Sequence, residues 1–382
     1  MNFQLTEEQK LIQDTARDFA EKELTPLAAK VDEEQRFPAE VIGRLAELGF
    51  LGMVVPEAHG GAGTDNLSYI LAVEEISRVC ASTGVIVSVN NSLVCSPLMK
   101  FANDEQKQRF LVPLARGQKL GAFALTEPSS GSDAASIRTT AARDGDSYVL
   151  NGTKCFCTNG PNSDVVLIFA TMDPSKRAKG ICCFLVEKGT PGFRVGTIEK
   201  KMGIRAALSS ELVLEDVRIP VANLLGQEGK GFNIAMATLD GGRNGIAAQA
   251  LGIAQAALDA SVKYASERKQ FGKLIGEFQA IQWMLADMKT HVEAARLLTY
   301  RAAVAMDTQE YFGMETAQAK LYASEVAVQN ALKAVQIHGG AGYMHDHSVE
   351  RNLRDSKITE IYEGTSEIQR LVIASNLLKP RH

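Results

Sequence analysis

The chain has 382 residues, 45% hydrophobic and 23% charged, with 41 Lys and Arg against 45 Asp and Glu for a net charge of −4. That length supports two or three domains and a sizeable core. The balance of charge argues against a nucleic-acid binder or a membrane-surface protein, and no uninterrupted apolar run reaches the length of a membrane span.

The first residues are polar and acidic, unlike a signal or transit peptide, and Thr6 with Gln9 has the spacing of a capping box. The segment 1–117 reads as a helical domain. One pattern runs through Leu11, Ile12, Phe19 and Ala20, and another from Pro38 to Gly49. Further helices are expected over Ser68–Arg78 and around Val85–Phe101, and Asn103 caps one over Asp104–Ala115. Residues 118–225 change character. Short apolar or alternating runs (Gly121–Thr126, Ser147–Leu150, Val165–Thr171, Gly180–Glu187, Phe193–Val195, Glu211–Val217) are separated by turns at Asp144-Gly145-Asp146, Asn151-Gly152, Asn159-Gly160-Pro161 and Pro191-Gly192. With no helix between the strands, this predicts an antiparallel β domain rather than βαβ units. From 226 to 382 the chain is helical again, with long patterns over 230–266, 278–308 and 314–338, a break at Gly339–Gly342 and a shorter final helix, which suggests a bundle.

Cys80, Cys95, Cys155, Cys157, Cys182 and Cys183 form no C-x-x-C pair and read as reduced, buried thiols of a cytosolic protein. Cys155 and Cys157 would share one strand face, and Cys182 and Cys183 would point to opposite faces. His345-Asp346-His347 has no further ligand at clear spacing, so no metal is expected.

Neither dinucleotide nor P-loop fingerprint is present. Thr126–Asp133 follows a strand and gathers hydroxyls, backbone donors and a glycine, as a pyrophosphate cradle can, though a solvated turn reads equally well. Phe156 ends another strand and could stack on a flat ring or fill the core. Near the C-terminus, Ser366 and Gln369 have capping-box spacing for a helix that starts near Glu367 and ends by Pro380. Tyr362, Glu363 and Gly364 therefore lie in the tight turn before it.

Taken together these segments resemble the acyl-CoA dehydrogenase family over essentially the whole chain. The resemblance rests on Leu125–Asp133, Asn151–Lys154 with Thr158–Gly160, Leu239–Arg243, Arg268–Lys273 with Phe278-Gln279, Gln336–Gly340 with Gly342-Tyr343, and Arg354-Asp355 through Ile361–Thr365. Val89–Leu93 and Ile358–Val372 look most like the short-chain (butyryl-CoA) branch. It implies an N-terminal α-helical domain, a middle antiparallel β-barrel and a C-terminal four-helix bundle. It also implies FAD-dependent conversion of an acyl-CoA to the trans-2-enoyl-CoA, with Glu363 taking the α-proton and flavin N5 the β-hydride. The backbone N–H of Glu363 and a ribityl hydroxyl of FAD would donate to the thioester oxygen.

By the same resemblance, Phe123, Leu125, Thr126, Ser132, Phe156 and Thr158 line FAD. Arg268, Phe271, Gln279, Gln336, Gly339 and Gly340 hold its ADP half from a neighbouring subunit, and Thr365 and Glu367 close over its adenosine side. Ser132, Asp240, Arg243, Tyr362 and Gly364 meet the acyl-CoA. Some relatives place the base at the position of Gly242, where this chain has no carboxylate. Phe156 stands where many members carry Trp. The implied partners are an acyl-CoA, electron-transfer flavoprotein as electron acceptor, and three further copies in a homotetramer with FAD sites shared between subunits. The expected setting is the bacterial cytoplasm or, for a processed chain, the mitochondrial matrix. Branched-chain or cyclic acyl-CoA dehydrogenation, acyl-CoA oxidation, and a non-catalytic acyl-CoA or flavoprotein-binding subunit remain as alternatives.

Overall fold

The structure, a computed structural model, describes residues 4–378; Pro380 and the first three residues lie outside them. Thr6 Oγ1 accepts from Gln9 N, and the Gln9 side chain answers to Thr6 N, so the capping box opens α1 (Glu7–Phe19). Then come α2 (Thr25–Glu33), α3 (Ala39–Glu47), α4 (Asn66–Val79) and α5 (Ala81–Ser88). The chain continues from α5 as a π-helix over Val89–Cys95 and then as α6 (Ser96–Phe101). A second capping box, Asn103 with Gln106, opens α7 (Asp104–Gln106), which winds on into α8 (Val112–Ala115).

The wider π winding turns two buried amides toward backbone. Asn90 donates to Leu51 O at 2.8 Å and accepts from Gly121 N at 3.0 Å. Asn91 donates to Phe50 O at 2.8 Å and accepts from Met53 N at 2.8 Å. These bonds tie the loop after α3 and the first strand to one helix.

The middle segment carries β1 (Gly121–Ala124), β2 (Thr140–Asp144), β3 (Ser147–Thr158), β4 (Val165–Thr171), β5 (Ile181–Glu187), β6 (Phe193–Ile198), β7 (Ser209–Pro220) and β8 (Leu224–Leu225). The hydrogen-bonded order is β6-β7-β3-β2-β4-β5-β8, with β1 beside β4. Most neighbours are antiparallel, but β1 runs parallel to β4, and β2 meets β4 in parallel at Thr140 and Thr171. The unbroken apolar runs of β4 and β5 are explained by burial on both faces. Val165, Leu167, Phe169 and Cys183 join the core shared with the helices, whereas Val166, Ile168, Ala170 and Cys182 join the sheet's own cluster.

Two local expectations change. Asn151-Gly152 lies inside β3 rather than in a turn: Gly152 has φ +149°, and the register with β7 slips there because Glu215 and Asp216 of β7 bulge opposite Asn151. Asn151 accepts from Asp216 N and donates to its carboxylate, and a Cβ on Gly152 would lie 2.5 Å from Thr139 Oγ1. A second register shift between Lys154 and Cys157, with Phe156 at φ +57°, breaks the alternation expected to put Cys155 and Cys157 on one face. All six cysteines are buried and free.

The last segment begins with α9 (Gly231–Glu267) and a hairpin of β9 (Lys269–Gln270) and β10 (Lys273–Leu274). It continues with α10 (Gln279–Thr308), α11 (Gly313–His338), a short α12 (Ser348–Ser356) and α13 (Ser366–Leu378). α9, α10, α11 and α13 make the helical bundle; α12 is an addition that knits the chain together. Its Asp355 accepts from Ile204 N at 2.5 Å, and its Arg354 pairs with Asp32 of α2 at 2.7 Å. No described helix is long and apolar enough to cross a membrane.

Candidate active site

The turn between α12 and α13 is built around two residues at positive φ, Glu363 at +52° and Gly364 at +95°. A glutamate in that region carries strain of about 1–3 kcal/mol, so its surroundings must hold it. Lys320 Nζ, from α11, donates to Gly364 O at 2.7 Å, and Gln369 Nε2 donates to the same carbonyl at 2.8 Å. A Cβ on Gly364 would lie 2.6 Å from Gln369 Nε2, so this glycine is required by both its φ and its neighbour. Thr365 Oγ1 accepts from Ile368 N at 3.3 Å. Thr365 rather than Ser366 thus caps α13, because Gln369 is drawn back onto the inward-facing carbonyls of the turn.

The Glu363 carboxyl points at α9. Its Oε2 is buried and has no hydrogen-bond partner among the described residues. A Cβ on Gly242 would lie 2.4 Å from that oxygen and 2.7 Å from Leu93 Cδ2, so the carboxyl occupies the space a side chain at 242 would need. Burial pushes the Glu363 carboxyl up to about 7, against the lowering pull of Lys320 and Arg243. Arg243 is buried, pairs with Asp240 at 2.5 Å, and leaves its Nε without a partner among the described residues. Tyr362 donates to Gln249 Oε1, whose amide donates to Ala81 O at 2.8 Å. Buried Tyr69, pushed up to about 12 mainly by burial, bonds Ser88 at 3.1 Å. A half-buried carboxyl with a proton affinity near neutrality and one empty oxygen has the properties of a general base for a weak carbon acid.

A second group of expected residues gathers on the sheet. Cys155 N donates to Thr126 O at 3.0 Å, which sets Phe156 beside Thr126. Phe156 is 65% exposed, and Thr158 Oγ1 lies 3.5 Å from Ser209 Oγ. Leu125 is buried, Phe123 packs on Phe169 with ring centroids 4.9 Å apart, and Ser132 is exposed. The loop is anchored by Glu127, which accepts from Arg138 N at 2.6 Å, Thr139 N at 2.9 Å and the fully buried Lys154 at 2.7 Å. Lys154 also donates to Leu125 O at 3.1 Å. Burial raises the Glu127 carboxyl, but the Lys154 charge and these hydrogen bonds outweigh it, and the net shift is down.

The third group lies at the far end of α9 and α11. Arg268 follows α9, Phe271 at φ +53° tips the β9–β10 hairpin with 94% exposure, and Gln279 opens α10. Gln336 lies in the last turn of α11, Gly339 and Gly340 follow it, and the Tyr264 and His338 rings stack at 4.2 Å between the two helix ends. All six expected residues of this group are exposed, and no described contact joins them to the Glu363 turn. Thr365 is half-buried beside that turn, and Glu367 is exposed one residue into α13.

Lys320 and Gln249 shape the site without having been singled out in the sequence, and Glu127, Lys154 and Gln369 lie in quoted motifs that gave them no site role. Lys320 had a signal: it interrupts the buried alanine face of Ala317, Ala319, Ala323 and Ala327.

The fit to a flavin dinucleotide is local and physical. An aromatic ring is held out to solvent at positive φ between two threonines, and a side chain placed on Gly339 or Gly340 would meet no atom within 4 Å. A carboxyl that titrates near neutrality in the same chain as such a platform fits a flavoprotein oxidoreductase.

Comparison with known proteins agrees. Family models for the acyl-CoA dehydrogenase N-terminal, middle and C-terminal domains match residues 6–118, 122–217 and 229–378. A short-chain specific acyl-CoA dehydrogenase of Clostridium acetobutylicum is 51% identical over 99% of this chain and 100% of its own length. The mitochondrial short-chain specific enzyme of Bos taurus is 55% identical over 98% and 91%. Butyryl-CoA dehydrogenase from Megasphaera elsdenii superposes with a TM-score of 0.98 at 48% identity, covering 99% of this chain and all of its own. A chain from work on the electron transferring flavoprotein of Acidaminococcus fermentans has the same TM-score at 50% identity, covering both chains fully. The chain belongs to the acyl-CoA dehydrogenase family and is an FAD-dependent enzyme of that kind.

Proposed function

We propose that the chain dehydrogenates short straight acyl-CoA thioesters of the butyryl type to the trans-2-enoyl-CoA, in fatty-acid β-oxidation or butyrate metabolism. The observation that carries this reading is the unpartnered, half-buried Glu363 carboxyl, raised to about 7. Bound FAD supplies at its N5 the acceptor for the hydrogen that leaves Cβ as hydride.

Glu363 takes the α-proton. Burial gives the carboxyl a proton affinity that suits a very weak carbon acid, and the oxygen without a partner is the one free to accept. The backbone N–H of Glu363 takes up charge on the thioester oxygen, since the positive φ turns the peptide away from helical bonding. Tyr362, anchored through Gln249, fixes one side of the turn, and the Asp240–Arg243 pair on α9 meets the acyl-CoA together with Ser132 and Gly364. Phe123, Leu125, Thr126, Ser132, Phe156 and Thr158 hold FAD from the sheet, with Thr365 and Glu367 over its adenosine side.

The third group serves a neighbouring subunit, which is why Arg268, Phe271, Gln279, Gln336, Gly339 and Gly340 stand exposed in one chain. The assembly is accordingly a homotetramer, a dimer of dimers, in which the segments 1–117, 118–225 and 226–382 each contribute. Electrons pass to electron-transfer flavoprotein, in keeping with the similarity to the Acidaminococcus chain. Relatives from a bacterium and from mitochondria support the bacterial cytoplasm or the mitochondrial matrix as the setting.

The test is anaerobic addition of butyryl-, hexanoyl-, octanoyl- and isobutyryl-CoA to the yellow holoenzyme, following loss of flavin absorbance. Fastest bleaching by butyryl-CoA is expected. Bleaching by isobutyryl-CoA alone, or by none of them, would overturn the assignment.

A further inference from the structure

Lys320 has no place in the chemistry just described, yet it is fully buried and ends at the catalytic turn. Removing a lysine ammonium from water costs several kcal/mol unless a partner offsets it. Its buried neighbours along that helix face, Thr316, Ala317, Ala323, Ser324 and Ala327, are small and uncharged. The partner is the turn itself. Nζ donates to the Gly364 carbonyl at 2.7 Å, one peptide beyond the Glu363 side chain, and its charge acts on the Glu363 carboxyl.

We propose that Lys320 is a positioning residue for the base: its ammonium pins the Glu363–Gly364 turn at positive φ and, by its charge, favours the ionised form of the Glu363 carboxyl. The inference rests on the reading of Glu363 as the base and deepens it. Burial alone drives that carboxyl toward the neutral acid, which cannot accept a proton. A fixed cation nearby sets the balance near neutrality, where the ionised form is well populated and still basic.

Other charged and titratable groups also act on this pair. From α9, Arg243 assists Lys320, but it already pairs with Asp240. From the turn and α13, Glu360 and Glu367 favour the charged lysine; Glu360 is bonded to Lys357 and Glu367 is exposed. Tyr362 and Tyr69 are held well above neutrality and stay uncharged. Burial lowers Lys320 itself to about 8, with Glu363 pulling it back up. Lysine and carboxyl therefore titrate as a coupled pair.

The experiment is an infrared titration of the holoenzyme with isotope-labelled glutamate, the Glu363 band being identified by its loss in Glu363→Gln. Lys320→Gln keeps a donor for Gly364 without charge, Lys320→Met removes both, and Lys320→Arg keeps the charge. The Gln and Met variants are expected to raise the carboxyl midpoint by about one unit or more, and Arg to return it toward wild type. The pH profile of kcat/KM should move alkaline by the same amount. A midpoint unchanged in Lys320→Gln overturns the proposal, and that variant decides the matter even where Lys320→Met does not fold. The infrared band needs no turnover, so failure of the Lys320 proposal stays distinct from failure of Glu363 as the base, which Glu363→Gln reports by retaining activity.

Discussion

Adding one methyl group to Gly242 tests the geometry of the base without touching the base. The Cβ of Gly242→Ala would sit 2.4 Å from Glu363 Oε2 and 2.7 Å from Leu93 Cδ2. Ordinary contact begins near 3.4 Å, so the carboxyl must retreat by about 1 Å. It is the far end of a flexible side chain, so the fold should lose only about 1–3 kcal/mol. A base displaced by that distance, however, loses about a hundredfold in the chemical step. Stopped-flow bleaching of the flavin by butyryl-CoA should therefore slow by about two orders of magnitude, while FAD content and denaturation midpoint change little. A rate within about threefold of wild type, with FAD retained, would refute the reasoning that Glu363 works from this position.

The pH dependence has two opposite signs. The folded Glu363 carboxyl, at about 7, lies above its ordinary 4.5, so the native state holds the extra proton between those values. Its contribution to stability is full below about 4.5 and is lost as pH rises through about 7, whereas kcat/KM rises through about 7. Denaturant midpoints across pH, compared with Glu363→Gln, should show a slope that only the wild type has. Lys154→Met leaves Glu127 buried without its cation and should destabilise the protein by about 3–5 kcal/mol, much of it recovered in the double variant with Glu127→Gln. Phe156→Ala should weaken FAD binding about tenfold by flavin fluorescence while Phe156→Trp keeps it; equal affinity in the alanine variant would remove stacking from the account.

Much of this was legible in the sequence because it is local. Capping boxes at Thr6 and Asn103, turns at Asp144–Asp146 and the long helical patterns each depend on neighbours a few residues away. Asn151-Gly152 misled for a matching reason. The pair favours a turn locally, and only segments distant in sequence, the β7 bulge at Asp216 and the close approach of Thr139, keep it inside a strand. Ser366 and Gln369 likewise had capping spacing, but Gln369 is claimed by carbonyls that face inward only because Glu363 and Gly364 take positive φ. At the site, motif resemblance singled out the residues that would meet FAD and acyl-CoA. It passed over Lys320 and Gln249, which bond the turn from elements more than forty residues away, and gave no site role to Lys154 and Gln369, which hold the loop and the turn from within the quoted motifs. Their roles exist only once the chain is folded.

The central claim is that Glu363 takes the α-proton. Glu363→Gln is nearly isosteric and leaves the turn's backbone bonds from Lys320 and Gln369 in place. The variant, purified with FAD bound and mixed anaerobically with butyryl-CoA, should bind the thioester and remain yellow. Bleaching at a rate close to that of the wild type would contradict the account.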